Sequence, residues 1–332
     1  MTYEERCAAV AGFGFTPRQS SFLTTVMLHA GVCLPRQYTA FAGIVFGQKT
    51  RDFFERLTRQ RFATAYPCWR GAGRVFHVHH KGLYRAIGEP DNRHRRSATV
   101  ARAIERLMVL DAVLSDRQTI WLATEREKVS HFVQRCGLDS TDLPRLEFEQ
   151  RGNRTVRYFP DKLPIGVVAA DQILFVYVVT DPSGRDFRTF LAAHRPLLQR
   201  LQRWTIRLVL PTALAAAKPA HDAALSELVA PPLRPGVLEE FRWFCETRRT
   251  LDEDAARIRA TVDLNRYTSA RRAFGAPRFY AAYRAWRERG EPALHELLSP
   301  RLHETWTRGD GRLDIHVLPH QYHHLAPAVA TA

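Results

Sequence analysis

The stretch Gln48-Lys49-Thr50-Arg51-Asp52-Phe53-Phe54-Glu55-Arg56-Leu57-Thr58-Arg59-Gln60-Arg61 decides how the first third of the chain folds. At about 100° per residue, Phe53, Phe54 and Leu57 share one side of a helix, and Gln48, Lys49, Asp52, Arg56 and Arg59 lie opposite. Such a helix docks its apolar side on a core and turns its cations outward.

The neighbouring segments give that helix its setting. Thr16-Pro17-Arg18-Gln19 places a capping threonine before proline at the first helical position. Phe22, Leu23, Val26 and Met27 then form the apolar stripe of a helix ending near Gly31. Pro35-Arg36-Gln37-Tyr38 opens a shorter helix, with Tyr38 and Phe41 facing inward, closed at Gly43. After the basic helix come Phe62 to Ala65, a turn from Pro67 to Gly73 that holds Trp69-Arg70-Gly71-Ala72, and the strand Arg74 to His79. This is a β-hairpin with a basic, glycine-rich tip. Lys81 to Gly88 resumes a helix. Helix, short helix, basic helix and hairpin is the order of a winged helix-turn-helix, expected here over residues 1–95.

In that arrangement the third helix enters the major groove of duplex DNA, and the hairpin lies along the backbone or minor groove. The expected DNA-binding residues are Gln48, Lys49, Arg51, Asp52, Arg56, Arg59, Arg61, Arg70 and Arg74. The cations would hold phosphates, while Gln48, Asp52 or Arg56 would reach base edges. The alternative is a winged helix used for protein docking, with the arginines as a solvated face.

Charge distribution favours a polyanionic partner. Lysine and arginine outnumber aspartate and glutamate 49 to 34 over 332 residues. Residues 1–97 carry a net +9 and the remaining 235 only +6. No apolar run approaches the roughly 18 residues of a membrane span, and the longest, Ile173 to Thr180, has strand length. Met1 to Arg6 has acids where an export signal needs a basic patch. The 5 cysteines form no CxxC pair, so neither a disulfide framework nor a zinc site is expected, and the reading is cytoplasmic. His77, His79 and His80 lack an acidic or thiol companion and read as strand residues.

Glu89 to Ser97 is polar and basic and reads as a linker. Beyond it, residues 96–212 read as an α/β domain. Helices are expected from Val100 to Leu114 and from Thr124 to Cys136, the second opened by a Thr124/Glu127 capping box. Strands follow at Thr155–Phe159 and Ile165–Ala169, joined as a hairpin. A nearly all-apolar strand, Ile173–Val179, is expected at the centre of a mixed sheet. A helix from Phe187 to Gln202 and a strand from Thr205 to Leu210 complete the domain. Residues 213–332 read as an extension: an alanine- and proline-rich connector over 214–235, then helices at Leu238–Thr247 and Pro277–Arg289. The second carries Phe279, Tyr280, Tyr283 and Trp286 as a core stripe.

This order, with the segments "FTPRQ…FL", "TRDFFERLTRQRFAT" and "YFPDKLPIGV…ILFVYVVT…WTIRLVLP", resembles the replication-relaxation family over roughly residues 13–211. The family consists of DNA-binding proteins of plasmids and other mobile elements. The resemblance implies a winged helix followed by a domain similar to the PD-(D/E)xK nucleases, and a part in plasmid replication and DNA relaxation. A nuclease of that type needs an aspartate, then an acid and a lysine two residues apart on the next strand, to hold Mg²⁺. Pro160-Asp161 supplies the first element, but Ile173 to Val179 carries neither acid nor lysine, and Asp181 lies past its end. Asp161 therefore reads as a turn residue. There is no GxSxG and no GxxxxGK[ST]. The segment from His316 to His324, with Tyr322, has the composition of a relaxase site but reads as a strand and tail.

The expectation is an α/β (α+β overall) protein that binds duplex DNA selectively, without catalytic residues, metal or cofactor. Its second domain would engage another copy of the chain or a replication protein, and no membrane. The rivals are a metal-dependent nuclease with relocated residues and a protein-interaction scaffold.

Overall fold

A computed structural model describes residues 1–68, 73–150, 153–169, 172–253, 263–320 and Tyr322. Arg70 with the rest of the expected hairpin tip, Trp69 to Ala72, and His323 and His324 lie outside these residues. The protein mixes helix and sheet, as expected. No helix among the described residues is long and apolar enough to cross a membrane.

The chain divides into two compact units: 1–182 with 204–218 and 313–332, and 183–203 with 219–312. The expected boundaries near 95 and 212 do not coincide with this division. The reason is a shared core in the first unit. Phe22, Val26, Phe53, Leu57 and Tyr84 from the amino-terminal helices belong to the same buried cluster as Leu107 and Leu110, the strand residues Val176 and Val209, and Leu318.

The first unit begins with α1 (Tyr3–Ala11) and α2 (Pro17–His29). The Thr16 hydroxyl accepts from the Gln19 amide at 3.3 Å, and the Gln19 side chain accepts from the Thr16 amide at 3.1 Å. This reciprocal pair satisfies donors that a helix start leaves open. Then come β1 (Val32–Cys33), α3 (Pro35–Ala42), α4 (Gln48–Arg59), β2 (Ala63–Pro67), β3 (Arg74–Val78) and α5 (Lys81–Ala86). Gly43 ends α3 in the left-handed conformation, φ 62°. The three strands form an antiparallel sheet in the order β1-β3-β2, with Cys33 opposite Phe76 and Ala65 opposite Phe76.

Residues 89–97 are not the exposed linker their composition suggests. His94 is 3% exposed, its carbonyl accepts from His77 Nε2 at 2.9 Å, and it packs on Gly31. Gly31 has φ 71°, and a Cβ there would stand 2.5 Å from the His94 carbonyl oxygen. Gly31→Ala is therefore expected to cost about 2 kcal/mol, from the left-handed backbone alone and more from the clash. Urea unfolding followed by circular dichroism measures it, and a midpoint equal to the parent's would contradict this packing.

α6 (Val100–Ser115) crosses the shared core, with Leu107 to Leu110, Ala112 and Val113 buried. β4 (Ile120–Leu122) leads into α7 (Glu125–Val129), opened by the expected Thr124/Glu127 capping box, and a π-helical turn extends it to Arg135. β5 (Arg145–Gln150) and β6 (Asn153–Tyr158) make a separate antiparallel ribbon. The expected hairpin of 155–159 with 165–169 does not form, because β5 takes the first strand as its partner. β7 (Ile165–Ala169) instead pairs antiparallel with β4 and with β8 (Gln172–Val178). With β9 (Arg203–Pro211) and β10 (Gly311–Leu318) the sheet runs β10-β9-β8-β7-β4. The apolar strand β8 is central, as expected, and its residues Ile173 to Val178 are all buried.

Three segments far apart in sequence meet at Asp111. Its carboxylate accepts two hydrogen bonds from Arg36, both 2.8 Å, and one from the Tyr322 hydroxyl. Burial, then the Asp111 charge, push the Tyr322 hydroxyl pKa up, so it stays a donor. At the edge of the sheet, Arg207 of β9 bridges Asp314 of β10 at 2.6 Å and Asp116 at 3.0 Å.

The second unit contains α8 (Arg185–Arg200), α9 (Lys218–Leu228), α10 (Pro235–Glu253), α11 (Leu264–Ala273), α12 (Pro277–Arg289), α13 (Glu291–His295) and α14 (Arg301–Thr307). The expected connector at 214–235 is helical for most of its length. Alanine is the strongest helix former, and Pro219 stands in a first turn, where its missing N–H costs nothing. Phe279, Tyr283 and Trp286 of α12 are core, packed with Phe241, Phe244 and Phe274, while Tyr280 of the expected stripe is exposed.

Candidate nucleic-acid interface

α4 is positioned by its apolar side. Phe53 packs on Tyr38 with ring centroids 4.5 Å apart, and Phe54 on Phe76 of β3 at 4.4 Å. These contacts fix the rotation of the helix, so the residues opposite face out. Gln48, Lys49, Arg51, Asp52 and Arg59 are exposed, as are Arg61 just past the helix and Arg74 on β3. Lys49 and Arg59 are separated by about 15 Å of helix rise. Glu55, exposed on the same side, was not among the expected residues, and with Asp52 it breaks up the positive field. Gln48 Nε2 donates to Asp52 at 2.6 Å, which ties the two expected base-reading groups to each other.

Arg56 departs from expectation. Its guanidinium donates to the carbonyls of Gly14 at 2.7 Å and Phe13 at 2.9 Å, and it lies 4.8 Å from the centroid of Phe15. It is half-buried and braces α4 to the loop before α2, so it is not presented as a reader of bases. The spacing of charges along α4 could not reveal this, since the acceptors lie more than 40 residues upstream. Arg56→Ala is expected to destabilise the fold by about 1.5 kcal/mol, the value of hydrogen bonds to a charged group. Equilibrium unfolding reads this directly, and an unchanged free energy would restore Arg56 to the free surface.

Arg51 and Arg74 are brought into one cleft of about 900 Å³, between α3, α4 and the β2–β3 hairpin. Its walls include Phe46, Phe54, Phe76 and His320. Arg51 lies 5.7 Å from the centroid of Phe46, itself 53% exposed. Sequence reasoning missed Phe46, for which an aromatic residue just before a helix was the available signal, and read His320 only as part of a carboxy-terminal strand and tail, since nothing in its neighbours ties it to this cleft.

The histidine run is structural. His77 holds the His94 carbonyl, His79 Nε2 lies 2.9 Å from the Thr64 hydroxyl, and His80 Nδ1 accepts from the Leu83 amide to start α5. Asp161 accepts from the Leu163 amide at 2.9 Å in a turn, as expected. Among the described residues no group of three or more His, Cys, Asp or Glu is arranged to hold a metal ion. Comparison of the chain with protein-family models, with curated proteins and with solved structures finds no match.

Proposed function

We propose that the chain is a duplex-DNA-binding protein whose reading element is a winged helix formed by α2, α3, α4 and the β1-β3-β2 sheet. The observation that carries this reading is the exposure of three cations on α4, Lys49, Arg51 and Arg59, with Arg61 and Arg74 also exposed, on a helix rotationally fixed by Phe53 and Phe54. Cations so placed displace counterions from a phosphate lattice, while Gln48 and Asp52 stand where base edges would be. The order helix, short helix, basic helix, hairpin, with a short first strand pairing the far hairpin strand, supports the winged-helix assignment.

The five-stranded sheet and its helices are read as a nuclease-like core without its chemistry. The central strand β8, sequence QILFVYV, offers neither acid nor lysine, and Asp161 serves a turn. Kinship with the replication-relaxation proteins, and with it a role in the replication or transcription of a plasmid or mobile element in the cytoplasm, belongs to this proposal and rests on the quoted segments. A second copy of the chain or a replication protein is the proposed protein partner.

Retention of a random-sequence duplex over a salt series tests the reading. The affinity should fall linearly with log salt, at a slope of about 0.9 per phosphate contacted. Retention that does not respond to salt, or none at low salt, would favour a protein-docking role. Selection of bound sequences from the same pool then reveals half-sites and their spacing.

A further inference from the structure

Away from α4, the first unit holds a second cationic concavity, independent of the proposed reading element. A cleft of about 590 Å³ is bounded by residues 89–96, the start of α7, the β5–β6 ribbon and the turn 159–164. That volume suits a ligand of roughly nucleotide size. Arg93, Arg96, Lys128, Arg157 and Lys162 line it together. Three acids also line it, but Glu125 is engaged: it accepts from the Tyr158 amide at 2.9 Å and pairs with Arg157 at 3.7 Å. Glu89 and Asp91 are the other two.

Lys128 is the unusual member. It is 3% exposed, its Nζ donates to the Leu163 carbonyl at 2.6 Å, and it sits 5.4 Å from the centroid of Phe159. Burial pulls its pKa down to about 8, with Asp161 opposing and Arg93 adding to the fall. Burial and the neighbouring Arg106 and Arg102 likewise lower Arg93 to about 10. Five cations, Arg93, Arg96, Lys128, Arg157 and Lys162, line the cleft against three acids, and the excess positive charge in a part-dehydrated site favours an anionic ligand. His94, on the same wall and 3% exposed, has an Nδ1 with no hydrogen-bond partner among the described residues. The lining also has an apolar part: Leu146 and Phe148 of β5 are 48% and 51% exposed.

We infer that this cleft binds a nucleoside monophosphate unit, its phosphate held by Arg93, Lys128 and Lys162 and its base against Phe148 and Leu146. The unit comes either as a free nucleotide or as the 5′-phosphorylated end of a DNA strand. Guanidinium and ammonium groups are the usual phosphate partners, and an exposed aromatic face stacks any base without regard to its identity.

Titration calorimetry on the full chain decides between the outcomes. The probes are AMP, adenosine, and a single-stranded tetranucleotide with or without a 5′ phosphate. Saturable binding of AMP with at least tenfold loss for adenosine is expected. A phosphorylated tetranucleotide more than tenfold tighter than AMP identifies a strand end as the source, and the reverse order identifies the free nucleotide. Lys162→Gln, at an exposed position, should weaken the preferred probe at least tenfold. Arg157→Gln, on the ribbon, should weaken it about threefold. Neutralising Lys49, Arg51 and Arg59 on α4 should leave this binding unchanged. Absence of binding at millimolar AMP and tetranucleotide, equal binding of adenosine, or full affinity in Lys162→Gln would overturn the assignment. None of these results bears on duplex recognition by α4.

Discussion

Neutralising Lys49, Arg51 and Arg59 together by alanine is expected to weaken duplex binding on the order of 100-fold at low salt and to reduce the salt slope by about 2.7. The three side chains are exposed, so their loss removes charge without opening the core. Arg56 is kept in this variant, because its bonds to Gly14 and Phe13 would mix a folding defect with a binding defect. Filter retention at several salt concentrations gives affinity and slope in one experiment. A triple variant that keeps the parental slope would show that the phosphate contacts lie elsewhere, and the groove assignment of α4 would go with it.

The largest stability effect is expected at Asp111. Asp111→Ala strands the Arg36 guanidinium and the Tyr322 hydroxyl that converge on it, and removing one partner of such a pair costs about 3 kcal/mol, the lower end for buried pairs because Arg36 is partly exposed. Tyr322→Phe removes one hydrogen bond and should cost about 1 kcal/mol. Since the two residues share a bond, the double variant should fall short of the sum. Urea unfolding of the four proteins measures the cycle. Strict additivity, or a loss below about 1 kcal/mol for Asp111→Ala, would mean the carboxylate is not the hub the geometry suggests.

Much of the local structure was legible because it is written in neighbouring residues. The Thr16/Gln19 and Thr124/Glu127 caps, the glycine stop at Gly43 and the unbroken apolar run of β8 are signals a few residues long, and each forms where expected. The exposure of Gln48 and Arg59 follows from helical periodicity alone. Tertiary partners decided what was missed. His94 sits in a basic, polar stretch, yet it is buried because Gly31 and His77 lie across from it. Arg56 looks like its neighbours on the wheel, yet carbonyls from another loop claim it. β5 reads Arg-Leu-Glu-Phe-Glu-Gln, an alternation whose apolar side stays open to solvent, so burial gave no cue to it. The phosphate cleft combines residues from four separate segments, and only their folding together reveals it.

The place of β10 in the sheet bears on how the chain is made. This strand is separated from its neighbour β9 by the helices between Lys218 and Thr307, so the five-stranded sheet remains one strand short until some hundred further residues have left the ribosome. Such distant closure is entropically slow. Newly synthesised protein therefore passes through a stage in which the edge of β9 is uncovered, and interrupted translation would release chains with an open sheet edge prone to pairing with one another.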